Sequence, residues 1–98
     1  MRATKNQYTK QYMDELETLR KKIDQIDNEI IMLFAKRFSF VKKIGEYKKK
    51  HNMQITNKNR QDEKLKTLIT KGRAEGISTA FVRTVWQEIF AESYRLEK

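Results

Sequence analysis

The chain has 98 residues, room for one domain, and a formal charge of +9 with 36% charged residues. It contains no Cys, which excludes disulfides and thiol chemistry, and with no Pro and only three Gly little interrupts a helix before Gly72. No apolar run approaches the roughly 18 residues that span a bilayer, and no signal-peptide core follows the polar start MRATKNQYTK, so a cytoplasmic protein is expected.

Lys, Glu, Leu, Ile, Gln and Arg dominate, the profile of long helices. Residues 1–10 read as a flexible N-terminal segment and residues 11–98 as one helical domain. From Tyr12 the apolar residues recur at helical spacing through Leu16, Leu19, Ile23, Ile26, Ile30, Leu33, Val41 and Ile44. Gly45 lies inside this helix, where it costs about 1 kcal/mol of propensity or permits close packing. The pattern stops near His51–Gln54, and His51 itself reads as a solvated helix-end residue. A second helix is expected from about Asn57 to Lys71, closed by Gly72 or by the turn at 73–76. Ser78 or Thr79 can cap a third, whose apolar face is Phe81, Val82, Val85, Trp86, Ile89, Phe90 and Leu96.

The length of the first helix sets the architecture. Forty helical residues extend about 60 Å, whereas a compact globule of this size has a radius of gyration of about 13 Å. The apolar stripe therefore outruns what two short helices can cover, and a second copy is the cheapest remedy. The expected fold is all-α: three helices per chain, the first very long, in an intertwined homodimer.

Polar residues interrupt the stripe. Residues 36–60 hold nine Lys/Arg against Glu46 alone, a field that suits nucleic acid, an acidic surface or a small anion. Heptad positions 16, 23, 30, 37 and 44 read Leu, Ile, Ile, Arg, Ile, so Arg37 points where an apolar side chain belongs. Lys48 follows three turns later on the same face, about 16 Å away. Either Arg37 reaches solvent or an acid on another helix, or the two cations hold an anion. Arg20 lies about 25 Å along the helix from Arg37, too far for one small ligand in one chain. In an antiparallel dimer the partner's Arg20 could come alongside Arg37 as a two-chain clamp for carboxylates. Arg60 opens the second helix, where N–H groups also favour an anion. Ser93 and Glu97 share a face of the third helix with Trp86 and Phe90.

The frame LETLRKKIDQIDNEIIMLFAKRFSFVKKIGEYKKKH, with NR at 59–60 and FVRTVWQEIFAESYRLE near the end, resembles the all-helical chorismate mutases over roughly residues 14–97. The resemblance implies an intertwined homodimer with two shared active sites. It implies rearrangement of chorismate to prephenate, a Claisen step in aromatic amino acid biosynthesis with no cofactor, no metal and no covalent intermediate. Carried onto this sequence, Arg37 and the partner's Arg20 would hold the substrate carboxylates. Lys48 would donate to the ether oxygen, and Arg60, with Ser93 nearby, would complete the pocket around the dianion.

Three positions depart from the best-known bacterial pattern. Asn57 replaces an Asp at the start of the second helix. Gln61 replaces a Glu that usually meets the substrate hydroxyl, and can still donate or accept. Glu97 replaces a Gln that is the second donor to the ether oxygen, as in some fungal members, and only its protonated form can donate. Isochorismate pyruvate-lyases and aminodeoxychorismate mutases on the same scaffold are alternatives, as is a regulatory or inactive homologue. A basic nucleic-acid-binding protein would use Lys42, Lys43, Lys49, Lys50 and Lys58 on phosphates, but only charge supports it. A partner enzyme that regulates the chain is not legible in the sequence.

Overall fold

The computed structural model describes the backbone of residues 2–98 and the side chains of Lys10 and residues 12–98. The flexible segment expected over residues 1–10 falls almost wholly on side chains outside those described. Three α-helices follow in chain order: α1 (Arg2–Lys50), α2 (Lys58–Ala74) and α3 (Thr79–Glu97), with no strand among the described residues. The all-α class and the very long first helix agree with the sequence pattern. The chain divides into two compact units, Met1–Lys36 and Arg37–Lys98.

The first unit is α1 alone. Its stripe of Tyr12, Leu16, Leu19, Ile23, Ile26, Ile30 and Leu33 is 41–64% exposed. Helical spacing has therefore sorted these residues to one face without burying them, and apolar surface left in water forfeits about 25 cal/mol per Å².

The second unit holds the last turns of α1 with α2 and α3. Its α1 segment ends at a residue in the left-handed region, Asn52, with φ 55°. The Met53 N–H reaches the Lys48 carbonyl at 2.8 Å and the Asn52 N–H reaches the Lys49 carbonyl at 3.3 Å, the paired closure of a Schellman end. Lys48, Lys49 and Lys50 occupy this last turn, where cations complement the carbonyl end of the helix. The chain reverses there and delivers residues 53–57 back toward Lys48.

Asn57 precedes α2 as its N-cap, and its side chain accepts the Arg60 N–H at 3.1 Å. α2 continues past the expected stop at Lys71 because Gly72 sits within the helix. Gly76, with φ 77°, ends it, and the Ile77 and Gly76 N–H groups close on the Gly72 and Arg73 carbonyls. Gly72 is buried and serves packing: a Cβ there would stand 2.8 Å from Val82 Cγ2 of α3. Ser78 rather than Thr79 caps α3, accepting the Phe81 N–H at 3.1 Å.

Among the described residues, Val41, Val82 and Ile89 are the buried large apolar residues, with Ser93 the buried polar one. The expected apolar face of α3 is partly corrected. Val85, Trp86, Phe90 and Leu96 are half-buried, but Phe81 is 59% exposed, while its neighbour Val82 turns onto Gly72 of α2.

Gly45 resolves to close packing. A Cβ there would lie 2.7 Å from the Glu97 carbonyl oxygen and 2.8 Å from its Cα, backbone atoms that cannot swing aside. Gly45→Ala should therefore destabilise the protein by about 1–3 kcal/mol despite better helix propensity. Urea unfolding at constant m-value measures it, and a stabilised variant would contradict the packing.

Candidate active site

Arg37 and Lys48 leave the same face of α1 three turns apart, and both reach α3. Arg37 Nη1 donates to Ser93 Oγ at 2.6 Å. The Ser93 hydroxyl in turn donates to the Ile89 carbonyl at 2.7 Å. Its proton is thus committed to the helix and its lone pair to the guanidinium, which fixes how Arg37 is presented. Burial lowers the Arg37 pKa from its ordinary value, and the nearby negative charge of Glu97 opposes that shift. The group remains cationic at neutral pH.

One turn further along α3, Glu97 Oε1 lies 3.1 Å from Lys48 Nζ. The same ammonium donates to the Ile55 carbonyl at 2.7 Å, in the segment that the α1 terminus turns back. Two of the three Lys48 donors are therefore taken by Glu97 and the Ile55 carbonyl, leaving one for a ligand. Arg37 thus reaches neither solvent nor an acid on α3 as its hydrogen-bond partner but a neutral hydroxyl. Lys48 takes the carboxylate instead.

These groups line a cleft of about 400 Å³ with Asn57, Arg60, Gln61 and Lys64 from the start of α2 and Phe40, Ile44 and Phe90 as apolar walls. A volume of this order suits a small organic molecule. Of the residues expected from sequence, Arg37, Lys48, Asn57, Arg60, Gln61, Ser93 and Glu97 all come together here. Asn57 has its side-chain oxygen committed to capping and keeps its amide N–H₂ for a ligand. Arg20 belongs to the first unit, where its side chain is exposed, whereas the cleft is formed wholly from the second. His51 is exposed, with its ring 4.2 Å from that of Tyr47, and has no place in the cleft.

Sequence reasoning missed Lys64 and the Ile55 carbonyl. Lys64 had a signal: it stands four residues after Arg60 and three after Gln61, on their face of α2. Ile55 had none, since a backbone carbonyl is carried by every residue.

Fold and cleft together define an all-helical protein with an electropositive site of small-molecule size. The chain belongs to the chorismate mutase type II family, whose model matches residues 19–98. It is 34% identical over 86 residues to the T-protein of Haemophilus influenzae, an alignment covering 88% of this chain and 23% of that protein. It is 30% identical over 84 residues to the 4-amino-4-deoxychorismate mutase of Streptomyces pristinaespiralis, covering 86% and 65%. With the chorismate mutase of Methanocaldococcus jannaschii the identity is 39% over 49 residues, half of each chain. The chain spans less than a quarter of the length of several of the curated relatives it matches. No helix of the described residues is long and apolar enough to cross a membrane.

Proposed function

We propose that this chain is a cytoplasmic chorismate mutase that works as a homodimer, each cleft completed by Arg20 of the partner subunit. The observation that carries the reading is the convergence of Arg37 and Lys48 onto Ser93 and Glu97, facing Arg60 across a cleft of small-molecule size. The exposed stripe of α1 supports the dimer, since a second copy is the surface that would cover it.

The reaction is an isomerisation within one molecule. The ether C–O bond breaks as a C–C bond forms, and no proton or electron leaves the substrate. The protein's task is to hold the reactive conformer and to stabilise charge that builds on the ether oxygen. Arg37 and the partner subunit's Arg20 grip the carboxylates, and the remaining N–H of Lys48 donates to the ether oxygen. Arg60, Gln61 and Asn57 close the α2 side. No cofactor or metal enters this scheme.

A second reading, rearrangement of 4-amino-4-deoxychorismate, is favoured by the Streptomyces relative's name. Incubating the purified protein separately with chorismate, 4-amino-4-deoxychorismate and isochorismate, and identifying products, tests the set. Prephenate from chorismate supports the proposal. Pyruvate and salicylate from isochorismate would replace it.

Glu97 bears directly on this chemistry. As a carboxylate it pairs with Lys48 and sets negative charge beside an oxygen that becomes more negative in the transition state. Protonated, it would be a second donor. Glu97→Gln offers a permanent donor of the same shape and releases Lys48 from its ion pair. Its kcat/KM on chorismate at pH 8 should exceed the parent's by about tenfold, the scale of one hydrogen bond to a developing charge. Equal kcat/KM in the parent and the variant would show that Glu97 does not face the ether oxygen.

A further inference from the structure

The charges that line the cleft do not cancel. Arg37, Lys48, Arg60 and Lys64 face it against one carboxylate, Glu97, a formal excess of three positive charges. Lys48 is offset by its Glu97 partner, and Arg37 is held by a neutral hydroxyl. The ion pairs of the described residues, Lys48–Glu97 and Arg95–Glu92, include neither Arg60 nor Lys64. Asp62 and Glu63, their neighbours on α2, do not line the cleft. Arg60 and Lys64 stand four residues apart, a spacing at which like charges repel. A cation kept beside another cation, at the mouth of an already positive site, makes sense when the ligand is strongly anionic.

The direct contacts of Arg37, Lys48 and Arg60 cannot tell chorismate from its 4-amino analogue, because both ligands carry the same two carboxylates and the same ether. The two differ in net charge. A hydroxyl leaves chorismate at −2, whereas an ammonium in its place leaves the analogue at −1. Coulomb interactions read that difference through several ångströms, without a direct contact, and more strongly in a partly desolvated cleft than in water. Lys64 is the cation that the shared groups leave unassigned, one turn from Gln61.

We propose that Lys64 is a specificity-determining residue that selects the dianionic hydroxyl substrate and rejects the ammonium-bearing one. This inference rests on the mutase reading given above. Lys64 acts by charge rather than by contact with the reacting atoms, so its removal changes the ratio between substrates more than turnover of the preferred one. Its exposed position on α2 makes substitution compatible with folding.

The test compares kcat/KM for chorismate and 4-amino-4-deoxychorismate in the parent, Lys64→Met, Lys64→Glu and Lys64→Arg. Competitive KI serves for a compound that is bound but not turned over. The parent should prefer chorismate. Lys64→Met should narrow the preference by about tenfold and Lys64→Glu by about a hundredfold, mostly through KM, while Lys64→Arg retains it. The preference should also shrink in the parent between 0.05 and 0.5 M salt, about the range over which screening becomes shorter than the cleft. An unchanged ratio in Lys64→Glu with chorismate turnover intact overturns the inference, as does a parent that prefers the amino compound. A parent that turns over neither compound removes the mutase reading, and this inference falls with it.

Discussion

Lys48→Ala and Arg37→Ala should each lower kcat/KM on chorismate by about 10³-fold, the scale of losing a preorganised donor to developing charge. Lys48→Ala carries two losses. It removes the donor to the ether oxygen, and it strips Glu97 of its partner, leaving a carboxylate facing the charge it should help to neutralise. Arg37→Ala removes the grip on a carboxylate and leaves Ser93 Oγ, still held by the Ile89 carbonyl, without its guanidinium donor. Neither variant should lose much stability. Burial holds the Arg37 pKa down, which means that its charge is a cost carried by the folded protein. That cost is recovered when an anion binds, so chorismate or prephenate should raise the Tm of the parent and fail to raise that of Arg37→Ala. Steady-state kinetics and thermal unfolding with and without ligand check both halves. Full activity in either variant would place the reaction elsewhere.

Arg20→Ala should be as damaging as Lys48→Ala although Arg20 belongs to the other unit of the chain. The reason is the expected partnership between chains: each cleft would take its Arg20 from the second copy. Mixing the two inactive variants under exchanging conditions should restore about a quarter of parental activity. Random pairing makes about half the dimers mixed, and each mixed dimer has one whole site and one with both lesions. No recovery after proven subunit exchange would mean that each site belongs to one chain. A folded monomer by sedimentation at micromolar concentration would remove the shared site altogether.

The helices themselves were legible because their signals are local. The spacing Tyr12–Leu16–Leu19–Ile23 reports a face within one helix, and Ser78, Gly76 and Asn57 act on backbone groups within three to five residues. Where two local signals competed, neighbours in space decided. Gly72 looks like a helix stop in sequence, yet Val82 of α3 packs against its bare Cα and the helix runs on to Ala74. Gly45 looks like a propensity defect, yet the backbone of Glu97 occupies the place of its missing side chain.

The same division holds for the site. Sequence by itself determined that Arg37 and Lys48 share a face of α1, that Ser93 and Glu97 share a face of α3, and that Arg60 opens α2, since each statement concerns residues within one helix. It determined the excess of cations for the same reason, charge being a property of composition. Only the tertiary structure decided which acceptor each cation takes. Arg37 could have met a carboxylate and instead meets a hydroxyl, while Lys48 takes Glu97 and the Ile55 carbonyl. It likewise turned Lys64, one more surface lysine in the sequence, toward the cleft. Hydrogen bonds and ion pairs form over about 3 Å between groups dozens of residues apart, so their partners are fixed by how the helices pack and not by the order in which they are strung.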